Sequence, residues 1–349
     1  MVFYSHAIEK DDGTKEGTKF LKDHLSEVGN AIERLISQKS LSNPLLIPQV
    51  GYLLGIAHDF GKYTSFFQDY LLHNRKDNQL RHHHGFISAV FAAYLINKLH
   101  ESNKISDKYL PLFAYFVVLH HHGDLNALEL DIVKTKDLKE KDFISVAEPW
   151  RSKLKALQKQ LENIRNSLSL IDKEYEELLR QVSIKDLTIR DFLNSWFDIL
   201  SLLHKLQYYL TNNESEETRV NYFISILLLY SLLIDTDKKD AADIGAIERR
   251  EIPGDMVDRY REIASYIDTK ATTGITGIRN EIYAKVVKKA SEVNLSNHIF
   301  TLTAPTGTGK TLASFSCALK LRERLREKKG FMPRIIYSLP FTSIIDQNY

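Results

Sequence analysis

Apolar residues recur at helical spacing through most of the first 245 positions, and no other feature of the chain constrains its fold as strongly. The segments Phe20–Leu35, Val50–Ala57, Phe86–Leu99, Leu110–His120, Trp196–Leu210 and Tyr222–Ile234 all carry this period. Asn43-Pro44, Gly85, Pro111 and Gly123 fall between or at the edges of these segments, where helices break. The pattern predicts a mainly α-helical domain over residues 1–245. From Leu154 to Arg180 the chain is rich in Lys, Glu and Gln, which predicts one long, mostly solvated helix standing off the core. Tyr222–Ile234 is the most apolar run. It is interrupted by Ser225 and Ser231 and falls short of the roughly 20 residues that cross a bilayer. It predicts a buried helix and no membrane partner.

Over residues 246–277 the composition changes. Pro253-Gly254, Gly274, Gly277 and the Thr-rich piece Thr269–Thr276 predict a linker. After it, over residues 278–349, the period shifts again. Ala284–Ala290 is helical, Ile299–Thr303 is β-rich, Leu312–Glu327 is helical and Arg334–Leu339 is β-rich. Strand, loop, helix, strand predicts one βαβ unit, the opening and incomplete part of a parallel-sheet domain. A chain of 349 residues has room for both domains. The formal charge of +2 announces no nucleic-acid partner, so a basic groove would have to be local. The single Cys317 excludes an internal disulfide. Met1–Lys10 lacks the apolar core of a signal peptide, and a cytoplasmic location is expected.

Four histidine and aspartate groups stand at the ends of apolar helices. They are His58-Asp59, followed by Gly61-Lys62, then His82-His83-His84, His120-His121-His122, and Asp235 with Asp237. Helix ends let ligands project into a shared pocket while the helix bodies pack. Imidazole nitrogen and carboxylate oxygen suit Mn, Fe, Co, Ni or Zn, and no thiolate competes. Taken singly, each group reads as well as a cap or a solvated pair. Their occurrence together in one helical domain points to a metal site.

Ala304-Pro305-Thr306-Gly307-Thr308-Gly309-Lys310-Thr311 lies between a β-rich run and a helix, the context of a phosphate-binding loop. There, backbone N–H groups cradle phosphates, Lys310 reaches the outer phosphates and Thr311 meets Mg²⁺. ATP and Mg are the ligands expected of such a loop in a full-length motor.

The ordered set His24-Leu25, His58-Asp59-x-Gly-Lys62, His84-x-x-x-Ser88-Ala89, His121-His122-Gly123 and Ser231-Leu-Leu…Asp237 resembles the HD nuclease of the CRISPR-associated helicase–nuclease of type I systems. The resemblance implies one ion held by His24, His58, Asp59 and Asp237, and a second held by Asp59, His84, His121 and His122. Lys62 would face a phosphate oxygen. Thr236-Asp237-Lys238 fits the family's last motif better than Asp235, which stays the reserve candidate, and His6 and His120 receive no ligand role. Ala304 in place of glycine, and Ser338-Leu-Pro-Phe-Thr-Ser further on, resemble the opening motifs of a superfamily 2, RecA-like helicase. The resemblance thus implies an all-helical HD-type domain joined to the start of a helicase motor. It implies two divalent transition-metal ions, single-stranded DNA as substrate, and recruitment by a guide-RNA surveillance complex (Cascade-like). No Asp-Glu pair follows Lys310, so ATP turnover is not expected from this chain alone. An HD-type nucleotide phosphohydrolase is one rival. A recruitment module with a silent site is the other, and the intact set of matched ligands favours an enzyme.

Overall fold

The structure is a computed structural model that describes residues 2–38, 45–75, 80–128, 131–134, 143, 146–182, 184, 187–245, 251–264, 267–330 and 332–338. The chain is mainly helical and divides into two compact units, residues 1–246 and 247–349.

The first unit opens with an antiparallel hairpin, β1 (Tyr4–Glu9) and β2 (Lys15–Phe20), which leads directly into helix α1 (Leu21–Ser37). Helices α2 (Pro48–Ala57), α3 (Ser65–His73), α4 (Gly85–Glu101), α5 (Leu110–Leu119), α6 (Trp150–Asn166), α7 (Leu168–Leu178), α8 (Ile189–Asn213) and α9 (Glu216–Ala241) follow. Two of the central helices are buried on nearly every face, over Val50–Ala57 in α2 and Leu110–Val118 in α5, and α4 is buried from Ile87 to Ile96. A helix that is apolar all round has no solvent face to offer and must lie inside. Amphipathic helices cover them. In α1, Leu21, Leu25, Val28, Ile32 and Ile36 form one stripe, and His24 sits within it, fully buried.

Glycines set how closely α1 and α2 approach. A Cβ at Gly55 would lie 2.4 Å from the Gly29 Cα and 2.5 Å from its nitrogen. The two backbones therefore touch with no side chain between them. A 3₁₀ turn, Phe60–Tyr63, continues from α2 and is pressed equally hard on the start of α4. There a Cβ at Gly61 would come within 2.7 Å of the His84 carbonyl oxygen.

Three expectations are corrected in this unit. The hairpin was not anticipated. The charged stretch from Leu154 is not one solvated helix: α6 and α7 meet at Ser167, and Leu154, Leu157, Leu161, Ile164, Ile171 and Tyr175 are buried in the core. Tyr222–Ile234 belongs to a helix of 26 residues, α9, long and apolar enough by length and composition to cross a membrane. Its Ile226, Leu229 and Leu233 pack into the hydrophobic core, and its last turns reach the site described below.

In the second unit, α10 (Met256–Ile263), α11 (Gly274–Glu292) and α12 (Lys310–Lys329) pack together. Polar groups hold them. Asp258 accepts from Lys320 Nζ and from Tyr283 Oη, both at 2.6 Å, and the Arg261 guanidinium lies 3.7 Å from the centroid of the Tyr283 ring. The stretch read as a linker thus contains a helix, α10, and the first turn of α11. Within the described residues neither β-rich run forms a strand, and Leu339 lies outside them. Among the described residues β1–β2 is the only sheet, and Ile299 and Ile336 are 86% and 87% exposed. A strand needs a neighbour to take up its backbone groups, and the described residues of this unit supply none. Among the described residues the expected βαβ unit is therefore not seen. Residues 339–349, including most of the second helicase-like motif and Asp346, lie outside the described residues.

Overpacking against backbone cannot be relieved by a rotamer change. Gly55→Ala should destabilise the first unit by about 3 kcal/mol, whereas Gly123→Ala, whose Cβ would meet nothing within 4 Å, should stay within about 0.5 kcal/mol of wild type. Denaturant midpoints of the two variants check this.

Candidate metal centre and phosphate loop

Helix ends bring the imidazoles together. The C-terminal end of α2 supplies His58 and Asp59, the N-cap of α4 is His84, and the residues after α5 are His121 and His122. The first turn of α1 adds His24 and the last turns of α9 add Asp237. Two groups result, one of Asp59, His84, His121 and His122, the other of His24, His58, Asp59 and Asp237. Within each group the ligand atoms lie within 4.8 Å of one another, and Asp59 belongs to both.

Hydrogen bonds on the far side of each ring fix which nitrogen faces inward. His58 Nδ1 lies 2.6 Å from the Gly55 carbonyl oxygen and His121 Nδ1 lies 2.6 Å from that of Val118. A carbonyl only accepts, so each Nδ1 carries its proton and donates. In the neutral ring Nε2 then holds a lone pair. His24 Nδ1 is held in the same way by Asp240, at 2.5 Å.

The inward atoms crowd one another. His24 Nε2 is 3.2 Å from His58 Nε2 and from Asp59 Oδ2, and both imidazoles are 3.4 Å from Asp237 Oδ1. On the other side of the carboxylate, Asp59 Oδ1 is 3.0 Å from His84 Nε2 and 3.3 Å from His121 Nε2, and His84 Nε2 is 2.8 Å from His122 Nε2. Asp59 Oδ1 and His121 Nε2 are buried and have no hydrogen-bond partner. Orphaned polar atoms of this kind are costly in a native interior. Convergent lone pairs and carboxylate oxygens repel unless a proton or a cation stands among them, so the donor set fits divalent metal ions.

Without a metal, a proton stands among the buried donors, on His58. Burial opposes charging His58, but Asp59 and Asp237 overcome it and raise its pKa to about 10. Burial also opposes ionising Asp59, yet Lys62, His58, His84 and His121 hold its carboxyl well below the usual range. Asp237, similarly opposed by burial and favoured by His58, falls to about 2. Burial lowers His84 to about 4 and His122 to about 3, so both are neutral at pH 7 with lone pairs to give.

Lys62 is buried, with Nζ 2.6 Å from Asp59 Oδ2, and it donates to the Ser5 carbonyl oxygen at 3.3 Å. Asp235 is not in the site; it is exposed and paired with Lys239 at 2.7 Å. His120 is paired with Asp131, at 2.8 Å, and lies outside both groups. Two contributors were missed or set aside in the sequence. Asp240 orients His24 and pairs with Lys19 at 2.6 Å. His6 packs edge-on against His24, with ring centroids 5.0 Å apart, and burial, Lys62 and His24 lower its pKa to about 4.

In the second unit Ala304–Thr311 leads into α12. Gly307 and Gly309 hold φ values of 79° and 80°, a left-handed backbone that favours glycine. Lys310 Nζ donates to the Ala304 carbonyl oxygen at 2.7 Å, and Arg279 Nε donates to that of Gly307 at 2.8 Å. Thr308 Oγ1 donates to the Pro305 carbonyl oxygen at 2.7 Å. A cavity of about 600 Å³ adjoins the loop, lined by Thr306, Gly307, Gly309, Lys310, Thr311 and residues of α10 and α11.

No family model matches the chain. A stretch of 49 residues, 14% of the chain, is 49% identical to the CRISPR-associated nuclease/helicase Cas3 of Haloferax volcanii and covers 5% of that protein. This similarity supports a Cas3-like relationship weakly and at a coarse level, that of a CRISPR-associated nuclease or helicase.

Metal uptake should tighten as pH rises. A cation must displace the proton that His58 keeps up to about pH 10. Affinity for Mn²⁺ or Zn²⁺ should therefore increase about tenfold per pH unit for each proton displaced. Calorimetric titrations in buffers of different ionisation heat check both the slope and the released proton. An affinity independent of pH would exclude His58 as a ligand.

Proposed function

We propose that the first unit is an HD-type nuclease that hydrolyses phosphodiester bonds of single-stranded DNA with two divalent transition-metal ions, as part of CRISPR type I interference. The observation that carries this reading is Asp59: one buried carboxylate shared by two histidine-rich groups, with an oxygen and a neighbouring imidazole nitrogen lacking partners. His24, His58, Asp59 and Asp237 would hold one ion, and Asp59, His84, His121 and His122 the other. When bound, such a pair supplies a water of lowered pKa and charge stabilisation at the attacking and leaving oxygens.

The chain's own residues prepare that chemistry. Gly55, Val118 and Asp240 keep three imidazoles turned with Nε2 inward, so the ligand set is ordered before anything binds. Lys62 contributes an ammonium charge beside Asp59, where phosphate oxygens would arrive, and a point charge suits that role. Burial of His24, His58 and His121 keeps bulk water from their inward nitrogens. The loop Ala304–Thr311 would bind the phosphates of ATP with Mg, as the start of a helicase motor, and a guide-RNA surveillance complex would recruit the protein.

The wild-type chain should cut linear and circular single strands in Mn²⁺. Asp59→Ala should abolish cutting, and Asp235→Ala should retain it. Wild-type cutting by Asp59→Ala would contradict the reading. Rapid hydrolysis of free nucleotides beside intact oligonucleotides would replace it with nucleotide phosphohydrolysis.

A further inference from the structure

The two groups around Asp59 differ in access. His24, His58, Asp59 and Asp237 are all buried, whereas His84 is half-buried and His122 is exposed. His122 is the one exposed member of either group, so a polymer can approach Asp59 over the edge that it forms with His84.

A cavity of about 720 Å³ opens at that edge, and its lining includes His84, His122, Phe67, Tyr70, His82 and Lys153. This volume exceeds what a phosphate needs and lies in the range that holds a small organic ligand. Much of its wall is aromatic. The Tyr70 and His82 rings lie 5.1 Å apart with planes at 38°, and the His82 and His83 rings follow at 4.3 Å and 37°. These tilted, closely spaced rings line the same cavity as His84 and His122. The backbone beneath it is fixed, because Gln160 Nε2 donates to the carbonyl oxygens of Arg81 and His83, both at 2.8 Å. Lys153, resting 4.7 Å from the centroid of the Trp150 ring, supplies a cation to the same cavity. Flat π-faces, a cation and an adjoining centre suited to phosphoryl chemistry complement one class of ligand, a nucleobase attached to its phosphate.

We propose that this cavity is a stacking subsite for a nucleobase next to the scissile phosphate of a single strand, with Tyr70 and His82 as the platform and Lys153 beside the backbone. The proposal rests on the nuclease reading above. A paired base has its faces covered by its neighbours and cannot enter, so the subsite selects unpaired strands. It tolerates any sequence, since every base has a π-face.

Cleavage kinetics of the full chain on a short oligothymidylate in Mn²⁺ test it. Removing an aromatic face from a stacked base costs a factor of about 5 to 150 in binding. Tyr70→Ala should raise KM by that factor with kcat little changed and metal content intact, the pattern of lost uniform binding. Tyr70→Phe, which keeps the ring face, should recover the KM lost in Tyr70→Ala. An abasic site beside the cut should raise KM for the wild-type chain, a result that does not depend on how any variant folds, and should add little to Tyr70→Ala. Wild-type KM in both Tyr70→Ala and His82→Ala, or an abasic strand cut as readily as an intact one by the unmutated chain, would overturn the subsite and leave the nuclease reading standing. A wild-type chain that loads metal but cuts no single strand would overturn the nuclease reading, and this proposal with it.

Discussion

A carboxylate taken out of water must be paired, and the first unit is arranged around that requirement at Asp59. An unpaired buried charge costs several kcal/mol. Here the side chain is 1% exposed and still ionised, because Lys62 and a ring of imidazoles surround it. Meeting that need takes groups from α1, α2, α4 and α5 at one point, and α9 adds Asp237 against two of the same imidazoles, so the helix registers cannot slip independently. The contact of Gly55 on Gly29 lets His24 and His58 approach to 3.2 Å, and the contact of Gly61 on His84 brings the start of α4 to the same point. Packing alone explains the central apolar helices. It does not explain why Asp59 Oδ1 and His121 Nε2 are buried without hydrogen-bond partners, and a metal-binding role would.

The loop Ala304–Thr311 follows a different principle. Its shape is held by backbone, through two glycines with positive φ, and its lysine rests on a carbonyl of its own loop. Such a loop presents N–H groups to an anion without needing a deep core beneath it. The second unit accordingly buries few apolar side chains and relies on polar contacts such as Asp258 with Lys320 and Tyr283.

Much of this was legible in the sequence where apolar periodicity and chemistry coincide. His58-Asp59, His84 and His121-His122 could be placed at helix ends because dense apolar runs stop beside them. Periodicity fails where a helix outlives its apolar face. The apolar pattern of α9 ends at Ile234, but the helix runs on to Ala241, so Asp237 lies within a helix and not after one. Two residues are a little over half a turn, which is why Asp237 faces inward and Asp235 faces solvent. Asp240, three residues beyond Asp237, shares its face, and that spacing was the available signal for its role behind His24. The Asp12-Gly13 pair likewise marked the hairpin turn. In Leu154–Arg180, charge density obscured a readable stripe of Leu154, Leu157, Leu161 and Ile164. The β-rich runs near the phosphate loop carry strand-forming residues, but pairing depends on neighbours that local sequence cannot display.

Anomalous diffraction from crystals of the chain grown with Mn²⁺ tests the shared carboxylate most directly. The account predicts two peaks flanking Asp59, roughly 3.5–4 Å apart, one beside His24, His58 and Asp237 and the other beside His84, His121 and His122. A single peak, or peaks remote from Asp59 with its Oδ1 still unpartnered, would contradict it.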